Sequence, residues 1–201
     1  RHQEFAEDLS AQTGQSLSTS LAQVEKSIER LFESAAWADK FGGSVNQADF
    51  KGQVVTCYNP VGVIGMLLPE HDPLLGAVSM LAPALALGNT VVLCASESAP
   101  VSLLKLAQVI ETSDVPAGTV NIVAGPRGPL GDTLAAHAGV HALWLADEAD
   151  AIARLARSAS STLKRILALR ADTDWGSLRD SLRLCRAAVA AQTVWHAADI
   201  N

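Results

Sequence analysis

Apolar residues recur at helical steps over the first forty positions and then bunch into short runs separated by glycine and proline. Leu21, Val24, Ile28, Leu31 and Phe32 follow one another at three- and four-residue steps, which puts them on one helical face. That face is expected to pack on the core. Ser18-Thr19-Ser20 offers caps just before it, Trp37 ends the apolar stripe and Gly42-Gly43 ends the helix. The stretch from Arg1 to about Asp39 therefore reads as helical.

The pattern changes near Gly52. Gln53 to Tyr58 is β-branched enough for an edge strand or arm. Val61 to Leu68 is a short apolar run stopped by Pro69, the mark of a strand covered on both faces. Asp72 is placed to cap a helix with Pro73 in its first turn, predicted to run to Gly88, and Pro83 inside it predicts a kink or break. The alternation then repeats. Strands are predicted over 90–94, 119–123, 142–145 and 165–169, with helices over 101–112, 130–137, 149–159 and 178–191. Strands alternating with helices of about ten residues specify βαβ units and a parallel sheet. The expected class is α/β: a parallel sheet flanked by helices, with an N-terminal helical segment and a β arm. The expected division is 1–51 for the helical segment, packed on the core, and 52–201 for the sheet domain.

Composition narrows the function. With 201 residues, 49% of them hydrophobic, the chain has material for one sizeable core. A net charge of −6 argues against nucleic acid as a partner. Residues 151–186 carry eight Lys or Arg against three acids, either a solvated helix face or a stripe for a phosphate or an acidic surface. Cys57, Cys94 and Cys185 are scattered, apolar-flanked and without metal spacing, which fits a reducing, cytoplasmic setting. No run is long and apolar enough for a membrane helix, and no signal peptide is visible. The opening Arg1-His2-Gln3 lies in what reads as mid-helix, as expected of a piece of a longer polypeptide. His137 and His141 are four apart, but Gly139 between them ends the helix and no third ligand is near, so no metal site is expected. Ser158, Ser160, Ser161 and Thr162 form a polar turn without a neighbouring base.

Three runs are specific. Asn59-Pro60-Val61-Gly62-Val63-Ile64-Gly65, the stretch from Leu81 to Leu93, and Pro116 to Gly125 closely resemble the cofactor domain of the aldehyde dehydrogenase superfamily. Ala36-Trp37-Ala38-Asp39-Lys40 resembles the end of that family's second N-terminal helix. The resemblance implies a Rossmann-like sheet, NAD or NADP as cofactor, and oxidation of aldehydes by a cysteine nucleophile, a glutamate base and an oxyanion-holding asparagine.

The positions that match the family's functional motifs have changed. Pro69-Glu70-His71-Asp72-Pro73 stands where the family has its asparagine motif, with His71 in the asparagine's place. Cys94-Ala95-Ser96-Glu97 stands in place of Lys-Pro-Ala-Glu; the lysine is lost, and Glu97 is left to bind ribose hydroxyls or to complement a helix dipole. In the loop from Gly125 to Gly131, Arg127 replaces a glycine, and Pro126 and Pro129 remove amide donors. Arg127 either compensates as a cation or fills the space. Asp147 and Glu148 replace a Gly-Ser pair and would repel a dinucleotide's phosphates. Leu169 holds the base position, no nucleophile context is present, and the tail around Gln192-Thr193-Val194-Trp195 resembles a helix and strand that lie beyond the nucleophile in the family. Cys185 reads as a core residue.

By resemblance the cofactor contacts would be Pro69, Glu97, Gly125 and Gly131, with no catalytic residue and no metal ligand. The expected role is that of a non-catalytic, aldehyde-dehydrogenase-like domain with a structural or assembly role, like the degenerate second unit of two-part members often called family sixteen. Its partner would be a catalytic dehydrogenase domain or a second subunit in a homo-oligomer, with the β arm as pairing edge. Two alternatives stay open: the cofactor part of a working NAD(P)-dependent enzyme whose catalytic residues lie elsewhere, with residual NAD or NADP binding, and a module for another phosphate ligand.

Overall fold

A computed structural model describes residues 1–47, 52–176 and 181–197. Helices α1 (His2–Thr13) and α2 (Leu17–Ala38) come first, followed by strands β1 (Ser44–Asn46), β2 (Gly52–Pro60) and β3 (Val63–Leu67). Then α3 (Pro73–Ala86), β4 (Thr90–Cys94), α4 (Pro100–Glu111), β5 (Val120–Val123), α5 (Arg127–Ala136), β6 (Ala142–Asp147), α6 (Ala149–Ala159) and β7 (Arg165–Arg170) alternate. The last elements are α7 (Ser181–Ala187) and β8 (Val189–Ala197). The expected domain border at residue 51 and the expected helix start at Leu178 fall outside the described residues.

Five strands form a parallel sheet in the order β5-β4-β3-β6-β7. The chain steps outward from β3 to β5 and then crosses back to β6. The strand order therefore reverses between β3 and β6, which is the place where open α/β sheets bind ligands. One face of the sheet is covered by Ile64, Met66, Leu75, Met80, Leu81, Leu93 and Trp144 with their neighbours. The other is covered by Leu67, Leu134, Leu143, Leu145 and Leu155 under α5 and α6. Burial on both faces explains why these strands are nearly continuous apolar runs.

Gln53 to Tyr58 is not an edge. It lies in β2, the middle strand of a separate antiparallel sheet ordered β1-β2-β8. Nine residues of β2 pair with β8, from Gly52 opposite Ala197 to Pro60 opposite Val189. The outer strands are β1 and β8. The predicted helix over 178–191 accordingly gives way at Val189 to strand, because β2 offers Val189 onward a full ladder. A Cβ on Gly43 would collide with the Thr56 carbonyl, so only glycine lets the turn into β1 come this close to β2.

The N-terminal helices exist, but their faces are turned differently from expectation. Val24 is buried and Leu21 partly so, while Ile28 and Leu31 are each 43% exposed and Phe32 is 75% exposed. The buried face of α2 instead carries Ser20, Gln23, Val24, Ser27 and Ser34. Small and polar residues let α2 lie close to α3, and Ser27 on this face donates to the Gln23 carbonyl at 2.8 Å. The helix starts earlier than predicted, with Ser16 as its cap accepting from the Thr19 amide at 3.2 Å.

Helix α3 runs through Pro83 to Ala86 without a break. Asp72 sits at its N-cap in a left-handed conformation (φ 48°) and makes no side-chain cap bond. Gln23 of α2 does that work. Its Oε1 accepts from the amides of Leu74 (3.1 Å) and Leu75 (3.4 Å), and its Nε2 donates to Asp72 Oδ1 (3.3 Å). At the other end, buried Asn89 accepts from the Gly62 amide and donates to the carbonyls of Ala84 and Ala188. Asn89 thereby ties α3, the start of β3 and the end of α7 together and sets where β8 begins.

Candidate functional site

The carboxyl ends of β3 and β6 flank the point where strand order reverses, and the side chain of Arg127 lies between them. Arg127 is the first residue of α5. Its Nη1 donates to the Leu68 carbonyl just past β3, and its Nη2 donates to the Ala146 carbonyl in β6. Its Nε donates to Asp147 Oδ2 at 3.0 Å, and Nη1 stands 3.5 Å from Glu70 Oε1. All three guanidinium nitrogens are engaged, and the side chain is 15% exposed. Of the two readings for Arg127, filling the space is the one the geometry matches. Asp147 is correspondingly held beside a cation, so the repulsion expected from it is offset from within.

Glu70 holds the other wall. Ser96 and Ser98 hydroxyls donate to its Oε2 at 2.6 and 2.7 Å, the Glu97 amide donates to Oε1 at 3.0 Å, and the Ser98 amide donates to Oε2 at 3.1 Å. Partial burial pushes this carboxyl upward, but these donors outweigh it and hold its pKa below the usual carboxylate range. Sequence reasoning passed over Glu70. The signal was the Ser-Glu-Ser run at 96–98, but only the sheet brings that run to Glu70.

Glu97 turns toward α5, where its Oε1 accepts from the Arg127 amide. An internal carboxylate thus takes the helix N-terminus that would otherwise attract an external anion. Pro69 is buried and packs against Gly76, where a Cβ would collide with its ring. Gly131 is buried where α5 crosses β3; a Cβ there would stand 3.3 Å from Leu67 and 3.4 Å from Leu155. Its small size serves helix-to-sheet packing. Gly125 is half-buried, with ordinary contact room toward Leu130. The structure brings Glu97 to the Arg127 cluster, whereas Pro69 and Gly131 sit in packing contacts nearby.

The position at which the resemblance expects the base is Leu169. Leu169 is 4% exposed, in one apolar cluster with Leu75, Ala146 and Trp175. Trp175 is fully buried; a Cβ on Gly76 would meet its ring at 3.2 Å. Its Nε1 has no hydrogen-bond partner, while its carbonyl accepts from Arg30 of α2 at 3.2 Å. Leu169 and Trp175 thus belong to one apolar cluster on this flank of the sheet.

The remaining candidates have structural partners. His71 is exposed and 3.2 Å from Asp72. His141 Nδ1 accepts from the Val63 amide, and His137 Nδ1 accepts from the Gly139 amide. No cluster of three or more metal-ligating side chains occurs among the described residues. Burial pushes the Cys94 thiol up to about 11, against the pull of Arg127, and burial followed by Glu33 raises Cys185. Neither supplies a thiolate near neutral pH. The basic stretch is largely used inside the fold. Arg154 pairs with Asp132, Arg165 donates to the Val189 carbonyl, Arg170 holds Asp172 through two 2.7 Å bonds, and Lys164 donates to Thr162. A cleft of about 470 Å³ remains open between the ends of β6 and β7 and α6, lined by Asp147, Glu148, Ile152, Ala153, Leu169 and Asp172 among others.

These features define a Rossmann-like α/β fold in which Arg127 spans the gap where the strand order reverses. A model of the aldehyde dehydrogenase family matches residues 1–170, and the chain belongs to that family. It is 34% identical over 168 residues to the betaine aldehyde dehydrogenase of Bacillus subtilis, covering 82% of this chain and 34% of that one. It is also 34% identical over 148 residues to the cytosolic aldehyde dehydrogenase 1 of Mus musculus, covering 73% of this chain and 29% of that one. A solved betaine aldehyde dehydrogenase from Staphylococcus aureus, in complex with NAD+, superimposes with a TM-score of 0.80 at 26% identity, over 84% of this chain and 34% of the other. The chain spans about a third of the length of these relatives. No described helix is long and apolar enough to cross a membrane.

NAD or NADP is the cofactor such a fold implies. The residues present do not fit it: Arg127 fills the crevice, Glu97 covers the α5 amide, and Asp147 with Glu148 lines the neighbouring cleft with carboxylates.

Proposed function

We propose that this chain is a non-catalytic aldehyde-dehydrogenase-like unit with a structural or assembly role beside a catalytic dehydrogenase domain or subunit. The observation that carries the reading is Leu169, buried in an apolar cluster where the resemblance places the base. A leucine at that position and the raised pKa of the two buried thiols, Cys94 and Cys185, support a chain without thioester chemistry of its own. The three-stranded sheet supports assembly, since β1 and β8 are its outer strands among the described residues and outer strands are where another chain's strand adds. Homo-oligomerisation and the cytoplasm are parts of the same proposal.

The test has two arms. The isolated chain is offered a panel of aldehydes with NAD and with NADP, and no reduction of either cofactor is expected. Its mass in solution is measured alone and with a full-length aldehyde dehydrogenase, and self-association or a stable mixed complex is expected. Aldehyde oxidation by the chain alone, or a monomer that ignores the full-length enzyme, refutes the proposal.

A second reading has its own support: likeness to an enzyme solved with NAD+ favours the cofactor part of a working dehydrogenase whose catalytic residues lie elsewhere. Restoration of aldehyde oxidation when the chain is supplied to a dehydrogenase lacking this domain would favour that reading.

A further inference from the structure

We propose that Arg127 and Asp147 act as a matched internal ligand that keeps the switch-point crevice closed, so that the native chain does not take up a nicotinamide dinucleotide. The inference starts from position. In sheets of this order, ligands enter outside the carboxyl ends of the strands where the strand order reverses. Here that gap lies between β3 and β6, and the Arg127 guanidinium bridges it from the Leu68 carbonyl to the Ala146 carbonyl. The next point is charge. Asp147 accepts from Arg127 Nε at 3.0 Å, and Glu70 stands 3.5 Å away, so one cation is shared by two carboxylates. A diphosphate entering this gap would have to displace the cation's partners while facing Glu70, Asp147 and Glu97. The pair is therefore a unit. Removing Arg127 alone leaves three carboxylates around an open gap, which suits neither the fold nor an anion. Removing Arg127 and Asp147 together takes out the filling and one acid at no change in net charge.

This inference rests on the family reading only for the choice of probe. NAD is titrated calorimetrically into the full chain, into Arg127→Gly, and into the double variant Arg127→Gly/Asp147→Gly. The double variant is expected to bind NAD at least about tenfold more tightly than the native chain, equivalent to about 1.4 kcal/mol. The single variant is expected to gain less than the double. Native binding as tight as that of the double variant, or no gain in the double variant, overturns the proposal. A second measurement on the native chain guards against a variant that fails to fold. The Arg127 Nε–H and Nη–H groups should give resolved, slowly exchanging NMR signals that millimolar NAD leaves unchanged. A freely rotating guanidinium overturns the proposal as well. Dinucleotide binding by the double variant without aldehyde oxidation leaves the non-catalytic reading standing, so the two proposals fail on different results.

Discussion

Replacing Leu169 by glutamate restores the residue type of the family's base, and the structure implies that it will unsettle the fold rather than create activity. Leu169 is 4% exposed and packs with Trp175, Leu75 and Ala146. Loss of its apolar burial costs about 1.5–3 kcal/mol. The introduced carboxyl has no donor in that cluster and is held neutral by desolvation. Keeping a group with an ordinary pKa of about 4.3 neutral at pH 7 costs a further 3.7 kcal/mol or about that, at roughly 1.36 kcal/mol per unit. The sign follows from the raised folded-state pKa. The unfolded chain releases the proton above about pH 4.3 and the folded one does not, so the penalty grows from there toward neutrality. Leu169→Glu is thus expected to lose about 5–7 kcal/mol at pH 7, a large part of a typical domain's stability, and to recover part of it at pH 5. Urea denaturation followed by far-ultraviolet circular dichroism at both pH values measures this. A loss below about 1 kcal/mol, or one independent of pH, would refute the burial of Leu169 in an apolar cluster.

Two further outcomes follow from the polar contacts. Glu70→Gln should cost about 1 kcal/mol at pH 7, a figure kept low because Glu70 is 42% exposed and partly screened. Its native pKa is lowered, so its contribution is complete above the unfolded value of about 4.3 and fades as pH falls through the lower folded value. Native and variant midpoints in urea should therefore converge under acid conditions. Gln23→Leu removes the acceptor of the Leu74 and Leu75 amides and should lower stability by about 1–2 kcal/mol, read as a drop of a few degrees in Tm. An unchanged Tm would mean that the α3 N-terminus does not depend on α2.

Much of the fold was legible because the parallel sheet writes itself locally. Strands covered on both faces must be short apolar runs, and the helices between them must cover those faces, so 61–68, 90–94, 119–123 and 142–145 announced themselves as strands, while their order in the sheet came only from the structure. The α2 face was misjudged for the converse reason. Periodicity shows that one side of a helix is apolar, but not that the side is the packed one. Close approach to α3 selected Ser20, Gln23 and Ser27 and left Phe32 outside. Gln53 to Tyr58 looked like an edge because its partner β8 lies more than 130 residues away, beyond any local signal.

The candidate site divides along the same line. By resemblance, single positions in the sequence raised the expectation of loss: Leu169 for the base, Cys94 for the lysine, Asp147 and Glu148 beside the phosphates. Composition alone left Arg127 with two roles, a cation waiting for a phosphate or a side chain filling a gap. That choice depends on distances between Arg127 and groups 19 to 59 residues away in the chain, the carbonyls of Ala146 and Leu68. Burial and charge pairing are properties of assembled surfaces, so only the tertiary structure could show that Arg127 meets Asp147 and the carbonyls of Leu68 and Ala146.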